Sequence, residues 1–325
     1  MDQTTSSPPP QTAHVGGATI WRQTPSAASD GRLHGRALLL ARAAWLVVAA
    51  LACGLYMAAT LNWLALAYRR CPPGMCQHGQ VPPAVVRALV DLHLSVSFYG
   101  WYTLGLDIFV AFGYLAIAVL LFWRRSRDPL ALFISLALLV FGTVSFHYGS
   151  ITRLVASSPG WQWPVATLQF LGAAAVGALA YVFPDGRFVP RWTILAVAAF
   201  ALWNLPAYLW PYSPLSMTTW PAVALFATWA FFLGVMGATQ IYRYRRVSTS
   251  VQRQQTKWVV FGIVAVSICY YAGQLVIFFL ARPPLTTPRA VLADMVGVMF
   301  FHVGFLLIPI CTGIAILRHR LFDID

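Results

Sequence analysis

Long apolar runs alternate with short polar segments along most of this 325-residue chain. Each run is about 20 residues long, which is the length an α-helix needs to cross the hydrocarbon core of a bilayer. We therefore predict an all-α, polytopic membrane protein built as a bundle of about eight transmembrane helices. The predicted spans are residues 43–67, 97–123, 129–149, 164–183, 192–210, 221–242, 258–281 and 291–317.

Polar sequence flanks this apolar region at both ends. Residues 1–36 show no hydrophobic periodicity, so we interpret them as a disordered cytoplasmic tail. Residues 37–317 form the predicted transmembrane domain, and residues 318–325 are predicted to begin a cytoplasmic output linker. The first apolar run is about twice as long as the core of a secretory signal, so we expect an uncleaved anchor.

Composition narrows the protein class further. Hydrophobic residues make up 59% of the chain and charged residues only 10%, whereas soluble domains carry about 25% charged residues. The chain contains no Glu and a single Lys, so it cannot form the charged surface of a soluble domain of this length. Its net charge of +13 does not indicate nucleic-acid binding, because the basic residues cluster at the ends of the apolar runs.

The distribution of these basic residues predicts the orientation. Of the 22 Lys and Arg residues, 16 fall on one predicted side of the membrane and six on the other. Cytoplasmic segments carry the excess of Lys and Arg in membrane proteins. With an even number of spans, this bias places both termini in the cytoplasm.

The outer segment 68–96 contains two candidate sites. Cys71 and Cys76 flank a Pro-Pro-Gly turn, so an oxidised pair is our preferred interpretation on the outer side of the membrane. Two free thiols remain an alternative, as does a zinc site that includes His78 and His93. No other cofactor or metal is predicted.

A short amphipathic helix is predicted after these cysteines. Apolar residues recur at helical spacing from Val85 to Val90, directly after Pro82 and Pro83. Such a helix can cover a ligand pocket or sense lipid at the outer surface. More often, such a helix is only a cap over the bundle.

A basic cytoplasmic segment separates the predicted sixth and seventh spans. It carries Arg243, Arg245, Arg246, Arg253 and Lys257. These residues could bind anionic lipid headgroups or a cytoplasmic domain, or they could form an ordinary positively charged loop.

Two ionisable residues are predicted near the bilayer midplane. Asp107 and His302 each lie about 15 Å from the outer start of their spans, whereas His147 and Asp294 fall close to the outer edge. A lone carboxylate at this depth needs a proton or a hydrogen bond. Asp107 and His302 are therefore a candidate pair, although separate Ser, Gln, Tyr or backbone carbonyl partners for each are the more common solution.

Four phrases of the chain resemble a family of bacterial sensor histidine kinases of the ComP type, common in Chloroflexi. They are "LLFWRRSRDPLALFISLALLVFG", "FPDGRFVPRW", "QIYRYRRVSTSVQRQQTKWVVFG" and "IPICTGIAILRHRLFDID", and they occur in the order of the family over about 200 residues. The resemblance implies a membrane input region in a bacterial plasma membrane. In such relatives, the last phrase leads into cytoplasmic phosphoacceptor and ATP-binding domains.

The resemblance predicts a signal-input module rather than an enzyme. It would relay an extracytoplasmic or intramembrane signal through its last helix to a cytoplasmic kinase or response-regulator partner. The predicted output linker contains Arg318, His319, Arg320, Asp323 and Asp325. We expect no catalysis by this chain, since it carries no nucleotide-binding loop, metalloprotease motif or nucleophile elbow.

Other partners and functions follow from composition alone. Membrane lipids surround the bundle, and homodimerisation is left open. The alternative function is a small-molecule or ion transporter or channel, which broken helices near the midplane would favour.

Overall fold

The computed structural model describes residues 33–67, 81–155, 158–280 and 285–317. These ranges are mainly helical and contain no strand. In chain order, the helices are α1 Gly35–Ala67, α2 Pro83–Asp91, α3 Val96–Arg125, α4 Pro129–Val140, α5 Tyr148–Val155, α6 Pro159–Val182, α7 Thr193–Leu209, α8 Ala222–Arg246, α9 Ser250–Leu280 and α10 Pro288–Leu317.

Six helices in the described part of the chain are long and apolar enough to cross a bilayer. They are α1, α3, α6, α8, α9 and α10. Two further apolar segments, Pro129–Ser145 and α7, are shorter. The architecture is therefore that of a polytopic helical membrane protein.

The predicted third span is not one continuous α-helix. After α4 the backbone forms the π-helical segment Phe141–Ser145, and α5 begins only at Tyr148. Thr143 and Ser145 lie in this segment and donate side-chain hydrogen bonds to the carbonyls of Leu139 and Gln169. A π-helical turn breaks the regular bonding pattern and often marks a functional position.

Two helices begin earlier than the spans predicted for them. Pro164 was expected to open the fourth span, but α6 begins at Pro159 and continues through Pro164 near its start. Trp258 was expected to open the seventh span, but α9 begins at Ser250. Most of the predicted basic loop is thus helical, and only residues 247–249 separate α8 from α9.

Helices α9 and α10 form the closest pair in the bundle. A Cβ atom at Gly273 would lie 2.8 Å from the carbonyl oxygen of Gly297, so the two backbones meet there without side chains between them. On the same seam, a Cβ atom at Gly304 would lie 2.7 Å from that of Cys269. Small residues allow this approach in membrane helices, and they attach α10 firmly to α9.

Polar contacts join α1 to α3 and α4. Trp45 Nε1 donates to Ser135 Oγ at 3.0 Å, and this hydroxyl donates to the Ala118 carbonyl at 2.6 Å. Just before α1, the Leu33 N–H donates to the carbonyl of Arg127 at 2.8 Å. The start of α1 therefore lies beside the connection between α3 and α4.

The predicted amphipathic helix is present as α2 and packs on the bundle. Val85, Ala88 and Leu89 are buried against Val291 and Met295 of α10. Val90, which was predicted on the apolar face, is 64% exposed. This packing fits a cap over the N-terminal end of α10.

Several predictions fall outside the described residues. These are most of the tail 1–36, the pair Cys71 and Cys76 with His78, and the output linker with Arg318, His319, Arg320, Asp323 and Asp325. Nothing in the structure bears on the disulfide or on the linker.

Candidate functional site

The structure brings the predicted intramembrane pair together. Asp107 lies near the middle of α3 and His302 near the middle of α10, each a helix of 30 residues. His302 Nε2 lies 2.9 Å from Asp107 Oδ1, which is a hydrogen-bonding distance. The position of each residue along its predicted span identified this candidate pair, because no Lys or Arg lies at the same depth.

The other ring nitrogen of His302 fixes how this bond can form. Nδ1 lies 2.8 Å from the carbonyl oxygen of Val298. A carbonyl can only accept, so Nδ1 carries a hydrogen and donates it. Nε2 therefore carries a second hydrogen only when the imidazole is cationic.

One proton must then lie between Asp107 and His302. A neutral carboxylic acid can donate to Nε2, or an imidazolium can donate to the carboxylate. Without that proton, the carboxylate faces the lone pair of Nε2 and the contact becomes repulsive. The contact between α3 and α10 is thus proton-dependent by its geometry.

His147 is a third member of this cluster, and the prediction that it lies apart near the outer edge is wrong. Its Nδ1 lies 3.5 Å from the same Asp107 Oδ1. Its Nε2 is buried without a hydrogen-bond partner among the described residues. The interruption between α4 and α5 places His147 beside Asp107. Counting residues along one straight helix gave the wrong depth for His147.

Burial differs sharply within the cluster. The side chain of Asp107 keeps 37% of its surface accessible, against 11% for His302 and 3% for His147. The carboxylate is therefore the most accessible member of the cluster. The histidines face the protein interior.

Aromatic rings surround the two histidines. Phe146 packs edge-on against both His147 and His302, with ring centroids 5.2 Å apart in each case. Phe146 also stacks on Phe301, and the ring of Tyr56 on α1 lies 4.9 Å from that of His147. Four parts of the chain thus meet at one polar centre.

Further contacts hold α3 against α10 on either side of the cluster. Toward the N-terminal ends of both helices, Tyr102 donates to the Met295 carbonyl at 2.8 Å, and Tyr99 donates to Asp294 at 3.2 Å. Toward the other end, Tyr114 donates to the Phe305 carbonyl at 2.8 Å. The proton-dependent contact therefore sits in the middle of an otherwise continuous interface.

A second polar centre lies where α8 ends, and sequence reasoning missed it. Arg243, predicted in an exposed basic loop, is only 2% exposed. Its guanidinium donates to the carbonyls of Tyr181 and Arg187 at 3.0 Å and 2.6 Å, and it pairs with the Asp185 carboxylate. Arg243 thus clamps the connection between α6 and α7 rather than facing lipid headgroups.

No metal centre is apparent in the part of the chain that the structure describes. No group of three or more His, Cys, Asp or Glu residues there has the arrangement of a metal site. Of the five cysteines, Cys53, Cys269 and Cys311 are free thiols inside helices.

No family model, curated protein or solved structure matches the chain.

Proposed function

We propose that the chain is a membrane signal-input module that relays a signal through α10 to a cytoplasmic signalling partner. The observation that carries this proposal is the contact between Asp107 and His302, which requires one proton and joins α3 to α10. Any signal that changes protonation or hydrogen bonding at this contact changes the contact energy between the two helices. A ligand or proton shifts a conformational equilibrium only through such differential contacts.

The proposal includes an orientation in the membrane. Eight crossings, counting Pro129–Ser145 with α5 and α7, place both termini in the cytoplasm of a bacterial cell. The 16-to-6 distribution of Lys and Arg supports this arrangement. A further support is that residues from the ends of α3, α6 and α10 and from the start of α9, namely Arg125, Phe183, Ile316 and Gln255, line one small pocket.

Helix α10 is suited to carry the output. It holds His302 in its middle, packs backbone-to-backbone on α9, and leads directly into the segment 318–325. The family resemblance predicts that this segment connects to phosphoacceptor and ATP-binding domains. On this proposal, the chain itself performs no catalysis and acts on a kinase or response-regulator partner.

Distance measurements on the full chain in lipid nanodiscs test the proposal. Spin labels would be introduced as unnatural amino acids at Arg124, at the end of α3, and at Leu317, at the end of α10. The expected result is a distance distribution that differs between about pH 5 and about pH 9, the range in which histidine and carboxyl clusters commonly titrate. An identical distribution at both pH values would overturn the proposal.

Two variants sharpen this measurement. In Asp107→Asn, the amide can donate to His302 Nε2 at every pH, so the distance should stay at its low-pH value. In Asp294→Asn, which alters a carboxylate at the outer end of α10, the pH dependence should persist. If both variants lose the pH dependence of the distance, that dependence arises from the overall charge of the protein and not from Asp107.

A proton-coupled transporter is the second candidate, because one observation favours it. The helix that contains the π segment Phe141–Ser145 is interrupted beside His147, and transporter sites often combine broken helices with intramembrane acids. Proton flux into proteoliposomes, reported by an internal pH-sensitive dye, separates the two functions. Flux that disappears in Asp107→Asn would favour transport, whereas the signal-input proposal expects no flux.

A further inference from the structure

A large cavity lies inside the bundle, beside the polar cluster. It has a volume of about 260 Å³ and is lined by residues of α4, α6, α7, α8, α9 and α10 together with the π segment. Along α10, its wall extends from Phe301 to Thr312, which corresponds to about 16 Å at the rise of an α-helix. Met217 reaches it from the connection between α7 and α8.

The walls of this cavity are almost entirely apolar. No Asp, Glu, Lys, Arg or His is among the residues that line it. Aromatic rings from Phe200, Trp229 and Phe305 and aliphatic side chains such as Val266 provide most of the surface. A charged molecule would lose its hydration here without gaining a partner, so the walls select against ions.

One buried amide gives the cavity a polar handle. Asn204 on α7 lines it and is only 3% exposed. Its Nδ2 donates to the Phe200 carbonyl at 2.8 Å, and no second bond of this amide occurs among the described residues. A buried amide can make more than one hydrogen bond, which leaves capacity for a ligand atom.

The size of the cavity indicates the size of its occupant. An engineered apolar cavity of about 150 Å³ stays dry and binds benzene. In proportion, the cavity of about 260 Å³ in this protein accommodates about ten non-hydrogen atoms. Close packing is the normal state of protein interiors, and an unfilled apolar void destabilises them. Molecules that partition into the bilayer are present at high local concentration around such a protein.

We propose that this cavity is a binding site for an uncharged, lipophilic small molecule of about ten non-hydrogen atoms that carries one hydrogen-bonding group for Asn204. The class includes bicyclic aromatic alcohols and short isoprenoid alcohols. This site is separate from the aspartate–histidine cluster and needs no signalling partner.

Phe146 connects the cavity to the cluster. This side chain lines the cavity, and its ring also contacts both His147 and His302. An occupant that displaces the Phe146 ring therefore changes the packing around the proton-dependent contact. This connection rests on the proposed signal-input function, whereas the binding site itself does not.

Binding of 2-naphthol, a neutral bicyclic alcohol of suitable size, tests the site. Equilibrium dialysis would compare nanodiscs that contain the full chain with empty nanodiscs, which report partition into lipid. The expected result is saturable binding at one molecule per chain, with no saturable binding of 2-naphthalenesulfonate. Uptake of 2-naphthol equal to that of empty nanodiscs would overturn the proposal.

Filling the cavity from two different walls provides the structural control. Ala173→Leu on α6 and Val266→Phe on α9 both project into the cavity and should weaken 2-naphthol binding by at least about tenfold. Ala198→Leu, on an exposed face of α7, should leave binding unchanged. Unchanged affinity in both filled variants, each verified as folded and monodisperse, would place the bound molecule elsewhere.

A further variant tests the polar handle. Asn204→Leu should weaken binding of 2-naphthol by about tenfold, the effect of one lost hydrogen bond. Binding of naphthalene, which lacks the hydroxyl group, should be retained. Equal losses for both compounds would contradict the assigned role of Asn204.

The binding experiment and the distance measurement that tests the proposed function can succeed or fail independently. Saturable 2-naphthol binding without any pH-dependent movement of α10 would support the cavity site and overturn the signal-input proposal. Movement of α10 with pH but no saturable binding would do the reverse.

Discussion

Two carboxylates of this protein lie in polar centres that differ in the kind of partner they bind. Asp107, in the middle of α3, meets the imidazoles of His302 and His147. Asp185, between α6 and α7, meets the guanidinium of Arg243, which also donates to two backbone carbonyls. An imidazole gains and loses its proton near neutral pH, whereas a guanidinium remains charged at every relevant pH.

The contact at Asp107 can therefore change with pH, whereas the contact at Asp185 is permanent. The contact at Asp107 needs a proton between two ionisable groups, so its strength varies with conditions. The contact at Asp185 has a permanent cation with three acceptors, so it fixes the connection between α6 and α7 to the end of α8. We expect mutations to affect stability most at the second centre and pH response most at the first.

The largest loss of stability is expected for Arg243→Met. Arg243 is buried whereas Asp185 is exposed, and the loss of a buried donor to charged and backbone acceptors typically destabilises a protein by about 3 kcal/mol. Asp185 and two backbone carbonyls lose their donor in this variant. The measurement is the free energy of unfolding in a detergent–SDS titration.

Arg245→Met is the matched control, because Arg245 lies on the same helix and is exposed. Its free energy of unfolding should stay within about 0.5 kcal/mol of the wild-type value. Equal effects of the two substitutions would show that Arg243 acts only as one of several surface charges.

An intermediate effect is expected from a double-mutant cycle on Asp107 and His302. The substitutions Asp107→Leu and His302→Leu, singly and together, should give a coupling free energy of about 0.5–3 kcal/mol at about pH 5. The coupling should be lower at about pH 9 and unfavourable in sign, because without the proton the carboxylate faces the lone pair of Nε2. The same unfolding titration, repeated at both pH values, provides the measurement.

The parallel cycle on Asp185 and Arg243 sharpens the contrast. Its coupling free energy should be the same at both pH values, since the guanidinium and the carboxylate both keep their charges. A pH-independent coupling between Asp107 and His302 would remove the distinction between the two centres.

A smaller effect is expected for Asp128→Ala. Asp128 precedes α4 and its carboxylate accepts from the N–H groups of Leu130 and Ala131 at 3.0 Å and 3.4 Å. Loss of such a helix cap destabilises by about 1 kcal/mol. Circular dichroism during unfolding provides the readout, and the loss should be independent of pH between about pH 5 and about pH 9, as expected for a structural contact.

The smallest effect on stability is expected for His147→Leu. The buried Nε2 of His147 has no partner among the described residues, so its removal offsets the loss of the 3.5 Å contact with Asp107. The free energy of unfolding should change by less than about 1 kcal/mol. The coupling between Asp107 and His302 should nevertheless change, which histidine ¹⁵N NMR titration of wild type and variant would detect. A loss larger than that of Arg243→Met would show that His147 is a structural residue.

Some features of this protein follow from the sequence alone. Runs of apolar residues determine where helices cross a bilayer, because an unbonded backbone is too unfavourable in hydrocarbon for other structures to form. The same rule predicted that a carboxylate at the depth of Asp107 needs a partner, and the absence of Lys or Arg at that depth left His302 as the candidate. The amphipathic spacing after Pro83 likewise predicted α2.

Only the tertiary structure decided the remaining features. Neither the π segment nor the buried position of Arg243 has a local signature, because both depend on which carbonyls and side chains neighbouring helices present. The position of His147 beside Asp107 follows from the interruption before α5, which hydrophobicity along the chain does not record. The cavity beside Phe146 is a property of six helices that fail to fill the space between them, and no single segment contains that information.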